Sequence, residues 1–279
     1  MDINLKVALI SAIVSIGIWI LSIFFDPVKE KITYVYKLKT EHKYEQKKEI
    51  KNVLAKYKMQ LINTTDALNH RLLNLHDNYK WLDVKGEYDS YYFKSFLYRL
   101  LSFFAWIRKA ENEMIYLDTS IATKEDVIFI KFLNLFQKIF YEARLLVETD
   151  SDYDVFFEVD HFFTDNFRSI CEKLLTDDND SVCTYEEFVT PDTSLNSYLD
   201  GLNPTEKRYR WDILQLLHYL SIAFLNTYGY DFQYTNENQI NDLISKKTTK
   251  SKLNKSFLRL LDDYKLSNQK ELRKILKRL

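Results

Sequence analysis

The side chains able to do chemistry are few, and their spacing rarely suits them to it. Five histidines (His42, His70, His76, His161, His218) include no His-x-x-x-His pair that would set two imidazoles on one helix face for zinc. His70 and His76 lie six residues apart, on different faces of a helix. Cys171 and Cys183 have eleven residues between them and no adjacent histidine, so they read as small buried hydrophobes. Asp150-Ser-Asp152-Tyr-Asp154 opens like a calcium loop. Such a loop needs glycine at its sixth position and a bidentate glutamate at its twelfth, and these hold Val155 and His161. Glu186-Glu187 and Asp177-Asp178 are neighbours in polar stretches and define no shared acid–base site. No Gly-x-Gly-x-x-Gly, Gly-x4-Gly-Lys-Ser/Thr or Gly-x-Ser-x-Gly occurs, and the chain has four glycines in all. No nucleophile, metal set or phosphate loop is visible, so neither a cofactor nor an enzymatic reaction is expected.

The elements that would carry any function are better defined. Val7 to Phe25 is nineteen residues without a charge, roughly 28 Å as a helix against a bilayer core of about 30 Å. It exceeds the apolar region of a signal peptide, and Phe24-Phe25-Asp26-Pro27 offers no small-residue cleavage site. A single transmembrane span is therefore predicted, ended by Asp26-Pro27. Lys6 precedes it, whereas Lys29, Lys31, Lys37, Lys39 and Lys43 follow. The positive-inside tendency then places the N-terminus outside and the rest in the cytoplasm, in a bacterial inner membrane on the resemblance given below. Within the span, Ala8, Ser11, Ala12, Ser15 and Ser22 fall on one helical stripe, with small-xxx-small spacings at Ala8/Ala12 and Ser11/Ser15. That pattern suits close approach of spans or lining of a lumen.

The remainder reads as helix after helix: 279 residues with four glycines and three prolines lack the turns of a many-stranded sheet protein, and 20 Tyr with 19 Phe supply a core. Helices are predicted over Pro27–Met59, Leu61–Trp81, Tyr88–Leu117, from a capping box at Thr123-Lys-Glu-Asp126 to Val147, and over Asp154–Leu175. Another runs from Asn203-Pro-Thr-Glu206 to a stop at Gly229, followed by two basic helices, Lys250–Tyr264 and Ser267–Leu279. Residues 176–202 are irregular, and minor short strands fit near Val182 or Phe232. The expected architecture is all-α: a transmembrane anchor (1–26), a basic juxtamembrane helix (27–60), a cytoplasmic helical domain (61–230) and a basic C-terminal helical tail (231–279).

The net charge of -1 conceals blocks. Pro27 to Gln60 carries ten lysines against four acids, and Glu148 to Asp192 carries fourteen acids against Arg168 and Lys173. Lys246 to the end carries twelve basic residues against three acids. The tail candidates are Lys246, Lys247, Lys250, Lys252, Lys255, Arg259, Arg273, Lys274, Lys277 and Arg278. They could pair with the acidic block, meet anionic lipid or hold a polyanion.

Leu97-Tyr-Arg-Leu-Leu-Ser-Phe-Phe-Ala-Trp106, then Glu113 and Tyr116-Leu-Asp118, form a connected pattern. Ala67-Leu68-Asn-His-Arg71-Leu72-Leu-Asn74, Phe167-Arg168-Ser-Ile170-Cys-Glu172 and Cys183-Thr-Tyr185-Glu-Glu-Phe188 accompany it, as does Leu199 to Leu225. Together they cover about Lys29 to Tyr228, and they resemble a broad, largely uncharacterised bacterial family with one N-terminal span and a helical cytoplasmic domain. Arg108 stands where that family usually has an acid, Cys171 where it has glycine, and the tail has no counterpart. The resemblance singles out Trp106, Glu113, Asp118, Arg168 and Glu172. They form either structural contacts, with Arg168 paired to Glu113 or Asp118, or a pocket for a small anionic or nucleotide-like ligand. By analogy it implies a homo-oligomeric membrane effector of antiphage defence, permeabilising the membrane on a signal from a nucleotide, oligonucleotide or regulatory partner. The alternative is a non-conducting anchored module that recruits a protein or oligonucleotide through its tail.

Overall fold

The computed structural model describes residues 3–115, 121–176, 181–245 and 251–278. Among the described residues the secondary structure is all-helical: α1 (Ile3–Asn78), α2 (Tyr91–Met114), α3 (Lys124–Tyr141), α4 (Arg144–Val147), α5 (Thr164–Glu172), α6 (Ser194–Leu199), α7 (Arg210–Tyr228), α8 (Glu237–Ser245), α9 (Asn254–Asp263) and α10 (Lys270–Leu276). Among the described residues the β structure is an isolated antiparallel bridge between Leu175 and Val182. The chain divides into two compact units, mainly the helical stretch up to Ile50 and a domain built from Lys51 onward.

The first unit contains a segment long and apolar enough to cross a membrane, with mean hydropathy 2.5 and none of it buried. Its helix does not end at Asp26-Pro27 as the sequence suggests; α1 runs through. Proline has no N–H to donate, so the helix continues through Pro27 with one backbone bond fewer.

The second unit closes around α2, α3, α5 and α7. Fifteen of the 24 residues of α2 are buried, which is why its sequence is apolar on nearly every face. Its Phe103 meets Phe136 of α3 edge-on at 4.8 Å between centroids, and Phe104 meets Phe140 and Phe167 at 5.3 and 5.1 Å. Phe224 of α7 completes the cluster against Phe132 and Phe136. Edge-to-face pairs of this kind add about 0.5–1.5 kcal/mol each beyond burial. The lower part of α1 joins this core through Val53, Leu54, Tyr57, Leu61, Leu68, Leu72 and Leu75, at spacings of one helix face.

Several helix boundaries differ from expectation: α1 runs unbroken past Met59 and Leu61, and the short α6 falls within residues 176–202, read as irregular. The capping box at Thr123 and Asp126 forms with both its bonds, but α3 ends at Tyr141 and the short α4 takes up the chain. The helix predicted from Asp154 begins only at Thr164. Before it, Asp150 and Asp154 accept hydrogen bonds from the amides of Asp152 and Phe156, and that local bonding competes with a helix. Likewise Asn203 accepts from the Thr205 amide and hydroxyl in a turn, and α7 starts at Arg210. The stop at Gly229 holds for another reason than a left-handed cap. Its φ is -76°, and a Cβ would lie 2.6 Å from the Leu225 carbonyl oxygen.

Candidate functional site

The residues singled out in sequence separate into two clusters on α2. Trp106 and Glu113 are seven apart and share one face; Arg108 and Glu111 are three apart and share another, about half a turn away at 100° per residue. On the first face Lys56 donates to Glu113 at 2.7 Å, Tyr57 also donates to Glu113, and Trp106 lies 6.1 Å from the Tyr57 ring. Burial works against the Glu113 charge, but the bonds from Lys56 and Tyr57 outweigh it and hold the carboxyl below its usual range. Burial and the Glu113 contact push the Tyr57 hydroxyl up to about 12. On the second face Arg108 donates to Glu111 at 2.8 Å and to Glu172 of α5 at 2.8 Å, and Gln137 donates to Glu111 at 2.6 Å. Glu111 is pushed above the usual carboxyl range by burial, with Arg108 acting against that rise.

Arg168 belongs to this second face, where its charge acts on Glu111 and its Nε is buried without a hydrogen-bond partner. It is thus not brought to Glu113, which α2 turns the other way; Asp118 lies outside the described residues. Of the five motif residues, the four described fall into these two clusters: Trp106 and Glu113 in the first, Arg168 and Glu172 in the second. They clamp α2, to α1 through Glu113 and to α5 through Glu172. Glu111 and Gln137, which complete the second clamp, were missed in sequence: Glu111 is marked only by its spacing of three from Arg108, and Gln137 comes from α3.

In the apolar segment, Ser15 donates to the Ser11 carbonyl and Ser22 to the Trp19 carbonyl, both at 2.9 Å. The hydroxyls of Ser15 and Ser22 are thus satisfied within the helix, which lowers their cost in an apolar medium. Ala8 and Ala12 are exposed beside them.

Much of the basic tail is engaged in its own domain. Arg259 pairs with Glu148 of the acidic block at 3.3 Å, and Arg144 pairs with Asp263 in the reverse sense. Lys252 donates through its backbone to Asp212 at 2.9 Å and sets its ammonium over the Tyr209 ring. Lys274 pairs with Glu271 and Arg278 with Glu237. Lys255, Arg273 and Lys277 are exposed. Lys246, Lys247 and Lys250 lie outside the described residues.

Another set of titratable side chains, unmarked by any sequence motif, converges in the domain. A cavity of about 360 Å³ is lined by Asp66, Asn69, His70, Leu73, His76 and Asp77 of α1, His218 and Ile222 of α7, Phe232 to Thr235, and Gln239, Asp242 and Leu243 of α8. His70 and His76, read as facing different ways, both reach it because the cavity spans more than one face of α1. His218 Nδ1 lies 3.4 Å from His76 Nε2. Burial, then the neighbouring His76, pushes His218 well below its ordinary pKa, so it is a neutral imidazole at physiological pH. Among the described residues no three His, Cys, Asp or Glu are placed to hold a metal ion. Nothing in the sequence marked this meeting of His218 with His76. Compared with protein families, curated proteins and solved structures, the chain matches none.

Proposed function

We propose that this protein is a self-associating membrane effector. Its N-terminal helix crosses the bacterial inner membrane once, with the N-terminus outside, and its helical domain receives a cytoplasmic signal. Clustered spans then permeabilise or depolarise the membrane as a step in antiphage defence. The observation that carries this reading is the exposure of the apolar segment on every face. Val7, Ile10, Ile13, Ile18 and Trp19 are 61–65% exposed on the helix, while the domain has a closed aromatic core of its own. So large an apolar surface calls for lipid or for other spans. The internally bonded serines are compatible with close helix packing. The engagement of the basic tail by Glu148, Glu271 and Glu237 favours this reading over recruitment through the tail, because paired charges have less attraction left for a polyanion.

The test is membrane potential and viability in bacteria induced to express the full chain, the chain lacking Met1 to Asp26, and a Ser11→Leu, Ser15→Leu variant. Depolarisation by the full chain alone, at equal expression, supports the effector. Depolarisation retained in the double variant removes the span stripe from the mechanism, and a potential unaffected by the full chain under phage challenge rejects the effector.

A further inference from the structure

Two arginines, Arg71 of α1 and Arg99 of α2, line one cavity of about 510 Å³ with His70, Asn74, Trp81, Tyr91 and Tyr92. Arg71 is 91% buried, being 9% exposed. Its Nη2 donates to the Ser95 hydroxyl at 2.7 Å, and its Nε is buried with no partner. Its guanidinium lies 4.8 Å from the centroid of the Tyr92 ring. Arg99, half-buried, donates to the Ala67 carbonyl at 3.1 Å. Neither guanidinium forms an ion pair with a carboxylate among the described residues. Burial lowers the pKa of Arg99, and the charge of Arg71 lowers it further.

Three other arginines on this domain are held differently. Arg108 is held by Glu111 and Glu172, Arg208 by Asp160, and Arg210 by Glu206. Two like charges withdrawn from water without a counter-ion are unfavourable, and a bound anion removes that cost. Guanidinium forks match phosphate oxygens in geometry as well as charge. Beside them, Trp81 stands edge-on to Tyr92 at 5.1 Å and is 58% exposed, while Tyr91 is 71% exposed. Their uncovered rings are suited to a planar group. The volume suits a small ligand. The histidine-lined cavity has three aspartates and no Lys or Arg in its lining, so it disfavours phosphate.

We infer that Arg71 and Arg99 form a binding site for a nucleoside-monophosphate-like ligand, the guanidiniums holding its phosphate and the rings of Trp81 and Tyr91 holding its base. The inference goes beyond the membrane reading and is read out by binding alone, so it survives or fails separately from depolarisation.

The test is calorimetric titration of the full chain in phospholipid-free detergent with AMP, inorganic phosphate and adenosine. AMP should bind more tightly than inorganic phosphate, and adenosine should bind least. Arg99→Met should weaken AMP by about tenfold or more, with Arg99→Lys between, because lysine keeps the charge and loses the fork. Trp81→Ala should bring AMP down to the affinity of inorganic phosphate. Should Arg71→Met fail to fold, Arg99→Met decides. Absence of AMP binding, or binding unchanged in Arg99→Met, overturns the site. AMP binding retained in nanodiscs of phosphatidylglycerol supports a soluble ligand. Binding kept in neutral nanodiscs and lost in phosphatidylglycerol overturns the nucleotide assignment in favour of a lipid phosphate.

Discussion

At His218 the protein holds a neutral imidazole against a second histidine in a fully buried position. The sign of its effect on stability follows from proton binding. The unfolded chain takes up a proton near pH 6.5 and the folded one only well below that, so stability falls as the pH drops below about 6.5, by up to about 1.4 kcal/mol per unit for this group. Thermal melts between pH 7.5 and 5 should show that slope, and His218→Asn should flatten it; an unchanged slope would place the titration elsewhere. Gly229 offers a second residue-level check. A methyl there meets the Leu225 carbonyl at 2.6 Å, backbone that cannot turn aside, so Gly229→Ala should lower stability by about 1–3 kcal/mol in denaturant titration. Neither residue carries a warning in the sequence: one is a histidine among leucines, the other a glycine that any helix stop would suit.

Among the elements, α2 is buried along most of its length, and the contacts that position it come from distant parts of the chain. Phe104 touches both Phe140 and Phe167, so Phe104→Ala should cost about 3–5 kcal/mol and lose near-ultraviolet circular dichroism before helix content. A second joint lies between α6 and the turn ahead of α2. There the Asp200 carboxylate accepts from the amides of Val84, Lys85 and Gly86, at 2.9, 3.2 and 2.9 Å, with Lys85 and Gly86 at positive φ. Such consecutive amides make an anion-holding concavity, here filled by the chain's own carboxylate. Asp200→Ala should raise amide exchange at Val84 to Gly86 well ahead of exchange in α2, measurable by mass spectrometry. A break between the helices predicted to Trp81 and from Tyr88 was legible in the sequence; the Asp200 that holds it, 114 residues beyond Gly86, was not.

At the scale of the whole molecule, the C-terminal helices are held by apolar burial more than by charge. Leu272 and Ile275 of α10 are buried, and α10 packs on α7. The pairs Arg259–Glu148 and Arg144–Asp263 are exposed enough to contribute only about 0–1 kcal/mol each. Leu272→Ala should therefore cost about 2–5 kcal/mol and expose the tail to limited proteolysis, while Arg259→Ala should leave both melt and digestion near the parent. A tail released by Arg259→Ala or by 0.5 M salt would reverse that order and return charge to the leading role.

Local signals carried far in this chain. The uncharged run Val7–Phe25, the scarcity of glycine and proline, the capping box at Thr123 and the heptad-like leucines of α1 each act within a turn or two. They were enough to define an all-helical fold with one apolar segment long enough for a membrane. They failed where a side chain had two local options: Asp150, Asp154 and Asn203 chose their own backbone over a helix start. Sequence had no access to pairings that only packing creates. The rotation of α2 decides that Glu113 meets Lys56 while Arg108 meets Glu172, and the docking of α7 on α1 brings His218 to His76 across 142 residues. Arg71 and Arg99 sat in motifs already noted, yet what distinguishes them is a missing carboxylate in their surroundings. Such a lack becomes visible only in three dimensions, because it depends on which groups the fold leaves out.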